Sequence, residues 1–216
     1  MKVLRCFAPT LLLFGLSTTT VYAGENLPVA NPIFAKVPIQ CARGYAYQGV
    51  DGATCTSQSF PAQAFNGTPA MGWVLTPNTG SGGAAGITGP NTAFEPPSFD
   101  GLPFSTAAFL QGQGSGVSQT IFQFVADRPY RLLFYLGSRQ ASGSFDGNQT
   151  VAVYLDDRLI EAWGLTSYTP FTLRHANLTA SHGGPHVLRF AGTALGDHTA
   201  FLSGVIIEAV DSADEP

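Results

Sequence analysis

The chain has 216 residues, only 11% of them charged, and a formal net charge of −4. Its Arg and Lys residues form no basic run that would suit nucleic acid, so nucleic acid is not an expected partner. With 25 Gly and 15 Pro residues and few Lys or Glu, the composition favours strands joined by turns over surface helices.

The first residues have the pattern of a secretory signal peptide. Lys2 and Arg5 supply positive charge, Cys6–Leu16 is apolar, and Val21-Tyr22-Ala23 is a small-residue cleavage site. The apolar stretch is shorter than the roughly 20 residues that span a bilayer. The alternative, a buried first helix, lacks a capping residue. We therefore expect residues 1–23 to be removed and the rest to be exported, to the periplasm or beyond the cell.

Residues 24–216 suit a single β-rich domain in length. Loss of Lys2 and Arg5 lowers the net charge from −4 to −6. The first third, to about Phe104, is rich in loop-forming residues, and the chain ends in the acidic tail Asp211–Pro216. No second long apolar segment follows, so we expect no membrane insertion.

Cys41 and Cys55 remain after cleavage. In an oxidising compartment an even pair of this kind is typical of a disulfide. Closing a loop of about 15 residues would stabilise the chain by roughly 3 kcal/mol. Two free thiols are the alternative, whereas the spacing does not match a Cys-x-x-Cys metal site.

The strand signals are sparse at first and become regular after Ala107. The predicted strands are Val29–Phe34, Tyr45–Gln48, Met71–Thr76, Ala108–Gln111, Val117–Val125, Tyr130–Gly137, Gln149–Asp156, Arg158–Trp163, Phe171–Asn177, His186–Ala191 and Ala200–Val210. Asp156-Asp157 separates two of them as a tight hairpin turn. Strands at this spacing, without helical periodicity, predict an all-β, two-sheet β-sandwich.

The order of several motifs resembles the galactose-binding-like jelly rolls of secreted bacterial proteins, and a related plant cell-wall family of unknown function. The motifs are Ala108–Gly112, Gly116–Thr120, Tyr130–Phe134, Gln149–Asp156 and Gly196–Leu202, preceded by Asn31–Phe34, Trp73, Gly86-Ile87 and Ala93-Phe94. The resemblance implies a jelly roll that binds carbohydrate, often polysaccharide, through end loops or a concave sheet face.

Such domains commonly carry one structural calcium, but two expected carboxylates are replaced here by Ala35 and Ser203. Because calcium needs several hard oxygen ligands, we predict no cofactor, with a structural calcium as the less favoured alternative.

Sugar recognition needs an aromatic ring for stacking and planar polar groups for the hydroxyls. The candidate ligand-binding residues are Trp73, Gln111, Arg139, Gln140, Asp197 and His198. Arg139 and Gln140 directly follow an apolar strand, so they should emerge at its exposed end. Trp73 could equally belong to the core, and Gln111 could simply satisfy backbone groups.

Metal and catalytic patterns are weak in this sequence. His182 and His186 flank Gly183-Gly184-Pro185, which cannot form the helical turn that suits a zinc-binding His pair, so they are interpreted as exposed turn residues. No carboxylate pair, Gly-x-Ser-x-Gly elbow or phosphate loop is recognisable. We therefore predict a non-catalytic carbohydrate-binding protein, with a structural or adhesive protein that binds other proteins as the alternative and an enzyme third.

Overall fold

The computed structural model describes residues 25–35, 72–76, 84–90, 92 and 94–210, together with the backbone of 45–49. The predicted signal peptide, Cys41, Cys55 and the acidic tail lie outside the described residues. The cleavage, disulfide and tail predictions made for these residues therefore stay predictions.

The described residues form twelve β-strands and no helix. The strands are β1 (Asn26–Leu27), β2 (Tyr45–Gly49), β3 (Val74–Thr76), β4 (Ala84–Thr88), β5 (Ala107–Gln111), β6 (Gly116–Phe124), β7 (Pro129–Ser138), β8 (Thr150–Leu155), β9 (Arg158–Gly164), β10 (Thr172–Thr179), β11 (Gly184–Gly192) and β12 (Thr199–Ala209). This part of the chain contains no helix long and apolar enough to span a membrane.

The strands form two antiparallel sheets. Sheet A has the order β10-β7-β12-β5-β4-β2, with β1 also paired to β12, and sheet B has the order β3-β6-β11-β8-β9. Apolar side chains from the facing sides of both sheets make one continuous core. The predicted all-β, two-sheet β-sandwich is thereby confirmed.

The last eight strands wrap as a jelly roll. Strand β5 pairs with β12, β6 with β11, β7 with β10, and β8 with β9, so that each pair encloses the next. Successive pairs alternate between the sheets. The innermost pair, β8 and β9, is joined by Asp156-Asp157. The φ angles of these two residues, 49° and 64°, suit the two-residue turn of a twisted hairpin.

Two expectations about the first third are wrong. Residues Val29–Phe34 form turns instead of a strand, because Asn31-Pro32 starts a turn that the Phe34 N–H closes on the Asn31 carbonyl. The strand lies earlier, at Asn26–Leu27. The strand predicted from Met71 begins only at Val74.

A second apolar cluster covers the outer face of sheet A. The two neighbours of Phe109 on β5 point into the main core. Because side chains alternate along a strand, Phe109 points away from that core. The ring of Phe94 stacks on Phe109 with centroids 3.9 Å apart. Phe99 and Phe171 pack against this cluster. The segment that carries Phe94 and Phe99 therefore covers part of the outer face of sheet A.

Candidate functional site: a polar cluster at one end of the sandwich

Four of the predicted ligand-binding residues meet at one end of sheet A. Gln111 ends β5, Arg139 follows β7, and Asp197 and His198 directly precede β12. Because β12 lies between β5 and β7 and runs antiparallel to both, its start adjoins the ends of those two strands. The topology therefore brings together residues that are up to 87 positions apart in sequence.

The Asp197 carboxylate is the centre of this cluster. Gln111 Nε2 donates to Asp197 Oδ1 at 2.5 Å, and Arg139 Nη1 lies 3.6 Å from the same oxygen. About a third of the Asp197 side chain is exposed, against 8% for Arg139. Asp197 thus presents a carboxylate to solvent, while the buried Arg139 and the half-buried Gln111 fix its orientation.

Arg139 is buried, contrary to the expectation that it emerges into solvent. Its guanidinium carbon lies 3.7 Å from the ring centroid of Phe145 and 5.6 Å from that of Phe94. Burial lowers the pKa of the Arg139 guanidinium, although the nearby charges of Asp197 and Glu95 raise it. A guanidinium still keeps its charge at neutral pH. Arg139 therefore serves as a charged support for Asp197, sandwiched among aromatic rings.

His198 is paired with Asp146, which is not among the predicted ligand-binding residues. His198 Nδ1 makes a close hydrogen bond with Asp146 Oδ1. Asn148 donates to both Asp146 oxygens, from its backbone N–H at 2.8 Å and its side chain at 2.6 Å. Burial raises the pKa of Asp146, but these hydrogen bonds together lower it below the usual value. The carboxylate holds the Nδ1–H of the ring and so leaves Nε2 to interact with a ligand.

Gln149 organises the loop that carries Asp197 and His198. Its side chain is fully buried. Gln149 Nε2 donates to the His198 carbonyl at 2.8 Å, and Oε1 accepts the N–H groups of Thr193 and Ala194 at 3.0 and 2.7 Å. This role was not predictable from the sequence, since a Gln at the start of a strand has no distinctive pattern.

The other two predicted residues lie differently. Gln140 is exposed and follows Arg139 directly, at the edge of the cluster. Trp73 is fully buried in the core, so its assignment as a stacking platform is wrong. Its ring centroid lies 5.2 Å from that of Phe34, and its Nε1 donates to the Asn31 carbonyl. A side chain without exposed area cannot stack on a sugar.

The calcium site implied by the resemblance does not fit these residues. Ala35 has no ligand atom in its side chain, and Ser203 Oγ donates to the Thr106 carbonyl at 2.8 Å. Thr106 Oγ1 in turn donates to the Ile33 carbonyl at 2.7 Å. The side-chain oxygens of Ser203 and Thr106 thus form hydrogen bonds between chain segments.

The interpretation of both turn histidines as exposed is wrong for one of them. His182 is exposed, but His186 is 1% exposed and lies edge-on to Phe124. The reason is register: His186 points inward from β11, on the same side as Leu188 and Phe190.

A separate hollow of about 830 Å³ lies beside the segment that covers sheet A. Prolines and Phe99 form much of its wall, and the side chains of Ser98 and Asp100 hydrogen bond to each other there. Ser98, Asp100 and Ser105 supply its polar side chains, whereas the Asp197 cluster concentrates carboxylate, imidazole and amide groups.

No protein-family model and no curated protein matches the sequence. Several solved structures have a fold similar to that of this chain. A Stig cyclase from Fischerella sp. TAU, solved with an indole ligand, has a TM-score of 0.58 at 14% identity, with 87% of this chain and 98% of the cyclase covered. A ligand-free cyclase from Fischerella sp. has a TM-score of 0.55 at 15% identity, with 87% and 97% covered.

An arabinose-bound α-L-arabinofuranosidase has a TM-score of 0.50 at 14% identity. The match covers 88% of this chain but 27% of that enzyme, so the chain resembles only a part of it. At these identities the likenesses establish a shared fold.

Proposed function

We propose that this protein is exported and binds saccharide, without catalysing a reaction on it, at the cluster around Asp197. The observation that carries the proposal is the convergence of Gln111, Arg139, Asp197 and His198 at one end of the jelly roll. Saccharide hydroxyls both donate and accept hydrogen bonds. The partly exposed carboxylate and imidazole of this cluster match both roles.

The charge balance of the cluster favours a neutral saccharide over a strongly charged one. Arg139 faces Asp197, and His198 faces Asp146, so each cationic or titratable group has an acidic partner. An anionic ligand would meet two carboxylates, and a cationic ligand would compete with Arg139. The partly buried Phe145 adds an aromatic surface next to these groups.

The similar solved structures support this proposal through the fold alone. The cyclases and the arabinofuranosidase show that the sandwich occurs with different activities. Enzyme activity is therefore a competing proposal, and the Asp146–His198 pair is the feature that would carry proton transfer.

A glycan array followed by isothermal titration calorimetry tests the proposal. We expect the chain to bind a neutral oligosaccharide and Asp197→Asn to lose most of that affinity, since the amide cannot pair with Arg139 as a carboxylate does. Glu161→Gln is the matched control, because it removes one carboxylate from an exposed position on β9. Failure to bind any saccharide in a broad panel would sink the function. Binding that survives Asp197→Asn would sink the site.

The alternative, a structural or adhesive protein that binds other proteins, has one observation in its favour. Val74, Phe122, Leu159 and Val187 are exposed apolar residues on strands of sheet B. Their inward-pointing neighbours place them on its outer face. If Phe122→Ser abolishes binding to an extracellular protein and the glycan array stays negative, the alternative replaces the saccharide proposal.

A further inference from the structure

Asp156, His182 and His186 lie together at the opposite end of β8 from the Asp197 cluster. Asp156 opens the turn between β8 and β9, His182 lies in the connection between β10 and β11, and His186 is near the start of β11. One potential ligand atom from each residue lies within 4.8 Å of the other two. The two imidazole rings are stacked, with centroids 4.1 Å apart.

The hydrogen bonds determine which ring nitrogens carry protons. His186 Nε2 lies 2.9 Å from the His182 carbonyl oxygen, and His182 Nδ1 lies 3.0 Å from the Gly183 carbonyl oxygen. A carbonyl oxygen only accepts hydrogen bonds, so these two nitrogens are the donors. In the neutral rings, lone pairs therefore remain on His186 Nδ1 and His182 Nε2.

The Nδ1 lone pair of His186 faces a carboxylate oxygen, which is itself a hydrogen-bond acceptor. His186 Nδ1 is in close contact with Asp156 Oδ2, while Asp156 Oδ1 accepts the Val187 N–H at 2.7 Å. A carboxylate oxygen and an imidazole lone pair repel each other unless a cation lies between them. In this direct contact the cation is a proton, which gives an imidazolium–carboxylate pair; a metal ion takes the place of that proton only when the exposed Asp156 side chain shifts to admit it.

We propose that Asp156, His182 and His186 bind a Zn²⁺ ion through one carboxylate oxygen and two imidazole nitrogens. Such nitrogen and oxygen donors suit zinc, at bond lengths of about 2.0–2.2 Å. The hydrogen bond from His186 Nε2 to a backbone carbonyl is the outer contact that orients metal-binding histidines. His186 is the fixed ligand, and the exposed Asp156 and His182 move towards the ion.

The surroundings leave room for a fourth ligand. A cavity of about 370 Å³ borders the site, and its wall includes His186, Asp156, Asp127 and Ser181. Arg158 also lines it and donates to the Thr179 carbonyl at 2.9 Å. Three protein ligands and an accessible water position are the arrangement of an open zinc site.

Titration of the purified, untagged chain with Zn²⁺ tests this site, with affinity measured by competition against a chromophoric chelator. We expect one ion per chain and a rise in melting temperature with Zn²⁺ concentration. Replacing an outer contact of a metal site already weakens metal binding ~10–100-fold, so we expect at least that loss for His182→Ala and Asp156→Asn. The Asn variant keeps an acceptor for Val187 and tolerates the left-handed backbone of the turn.

His175→Ala is the matched control, because it removes an exposed histidine on β10 outside the cluster. His182→Ala is the decisive variant, since that exposed side chain is not needed for the core. Substituting Co²⁺ for Zn²⁺ should give the visible absorption of a four-coordinate site in wild type and in His175→Ala. Absence of Zn²⁺ binding, or equal affinity in His182→Ala and wild type, overturns the proposal and leaves a proton between His186 and Asp156.

Discussion

At the scale of single residues, Arg139 combines burial with full charge. Its neighbours compensate for lost hydration: Asp197 pairs with it, and Phe145 packs on its flat face. Removing one partner of a buried ion pair is costly, because the other charge is left without compensation. Arg139 is therefore better understood as the positioning residue for Asp197 than as a group that reaches a ligand.

Replacing Arg139 with Lys tests this role. We expect saccharide affinity to fall about tenfold, equivalent to about 1.4 kcal/mol, because an ammonium lacks the planar surface that packs on Phe145. Titration calorimetry measures the loss. Arg131→Lys is the control, since its ion pair with Glu208 is partly exposed and contributes little. Equal losses in both variants would show that the planar guanidinium of Arg139 has no special role.

The lowered pKa of Asp146 predicts that the stability of the fold decreases in acid. Burial raises its pKa, but the hydrogen bonds from Asn148 and His198 outweigh burial and lower it. A carboxyl with a lowered pKa stabilises the fold fully above its unfolded value of about 3.9. That stabilisation is lost as the pH falls through the lowered folded value. We expect Asp146→Asn to flatten the decline of melting temperature between about pH 3.9 and that lowered folded value, and Glu161→Gln to leave the decline unchanged. An unaltered decline in Asp146→Asn would contradict this.

At the scale of elements, the 139–149 connection is shaped by one close approach. Gly147 lies so near the end of β7 that an added Cβ would sit 2.3 Å from the Arg139 carbonyl oxygen and 2.7 Å from Ser138 Cβ. Next to this contact, Asp146 forms an isolated β-bridge with His198, which directly precedes β12. Glycine at this position therefore lets the loop close over Arg139.

We expect Gly147→Ala to push the loop away from β7, lowering both the melting temperature and saccharide affinity. The nearest atom that a methyl group would meet, the Arg139 carbonyl oxygen, belongs to the backbone and cannot rotate away as the end of a flexible side chain can. Gly164→Ala is the control, because the nearest atom to its added Cβ, Thr150 Oγ1, is 3.9 Å away. A Gly147→Ala variant as stable as the control would mean that the loop closes without this contact.

The strands from β5 onward were predictable because they are apolar-rich runs between recognisable turns, although β5 and β12 are buried on both faces and do not alternate. Prediction failed where local signals conflict: Asn31-Pro32 breaks an apolar run that looked like a strand. The site was predictable in part, since residues at strand ends meet wherever the strands are neighbours. Asp146 and Gln149 were missed because a turn Asp and a strand-end Gln acquire their roles only through contacts with the 193–198 loop.

At the scale of the whole molecule, the sandwich separates stability from the two proposed sites. The core lies between the sheets, the Asp197 cluster lies at one end of β8, and the Asp156 cluster lies at its other end. Stability therefore depends on large buried side chains such as Trp73, Phe34 and Phe190, which pack together between the sheets. The sites depend on loops that this core holds in place.

Trp73→Ala tests that separation. Truncating a buried Trp costs about 3–5 kcal/mol, and the Asn31 carbonyl also loses its indole donor. We expect this loss in urea unfolding, together with unchanged saccharide affinity for the folded protein, because Trp73 has no exposed surface. Trp73→Phe, which keeps an aromatic ring beside Phe34, should lose less stability and bind equally well. If either variant loses affinity while its folded state remains fully populated, Trp73 contributes to the binding site, and the separation of core from site is wrong.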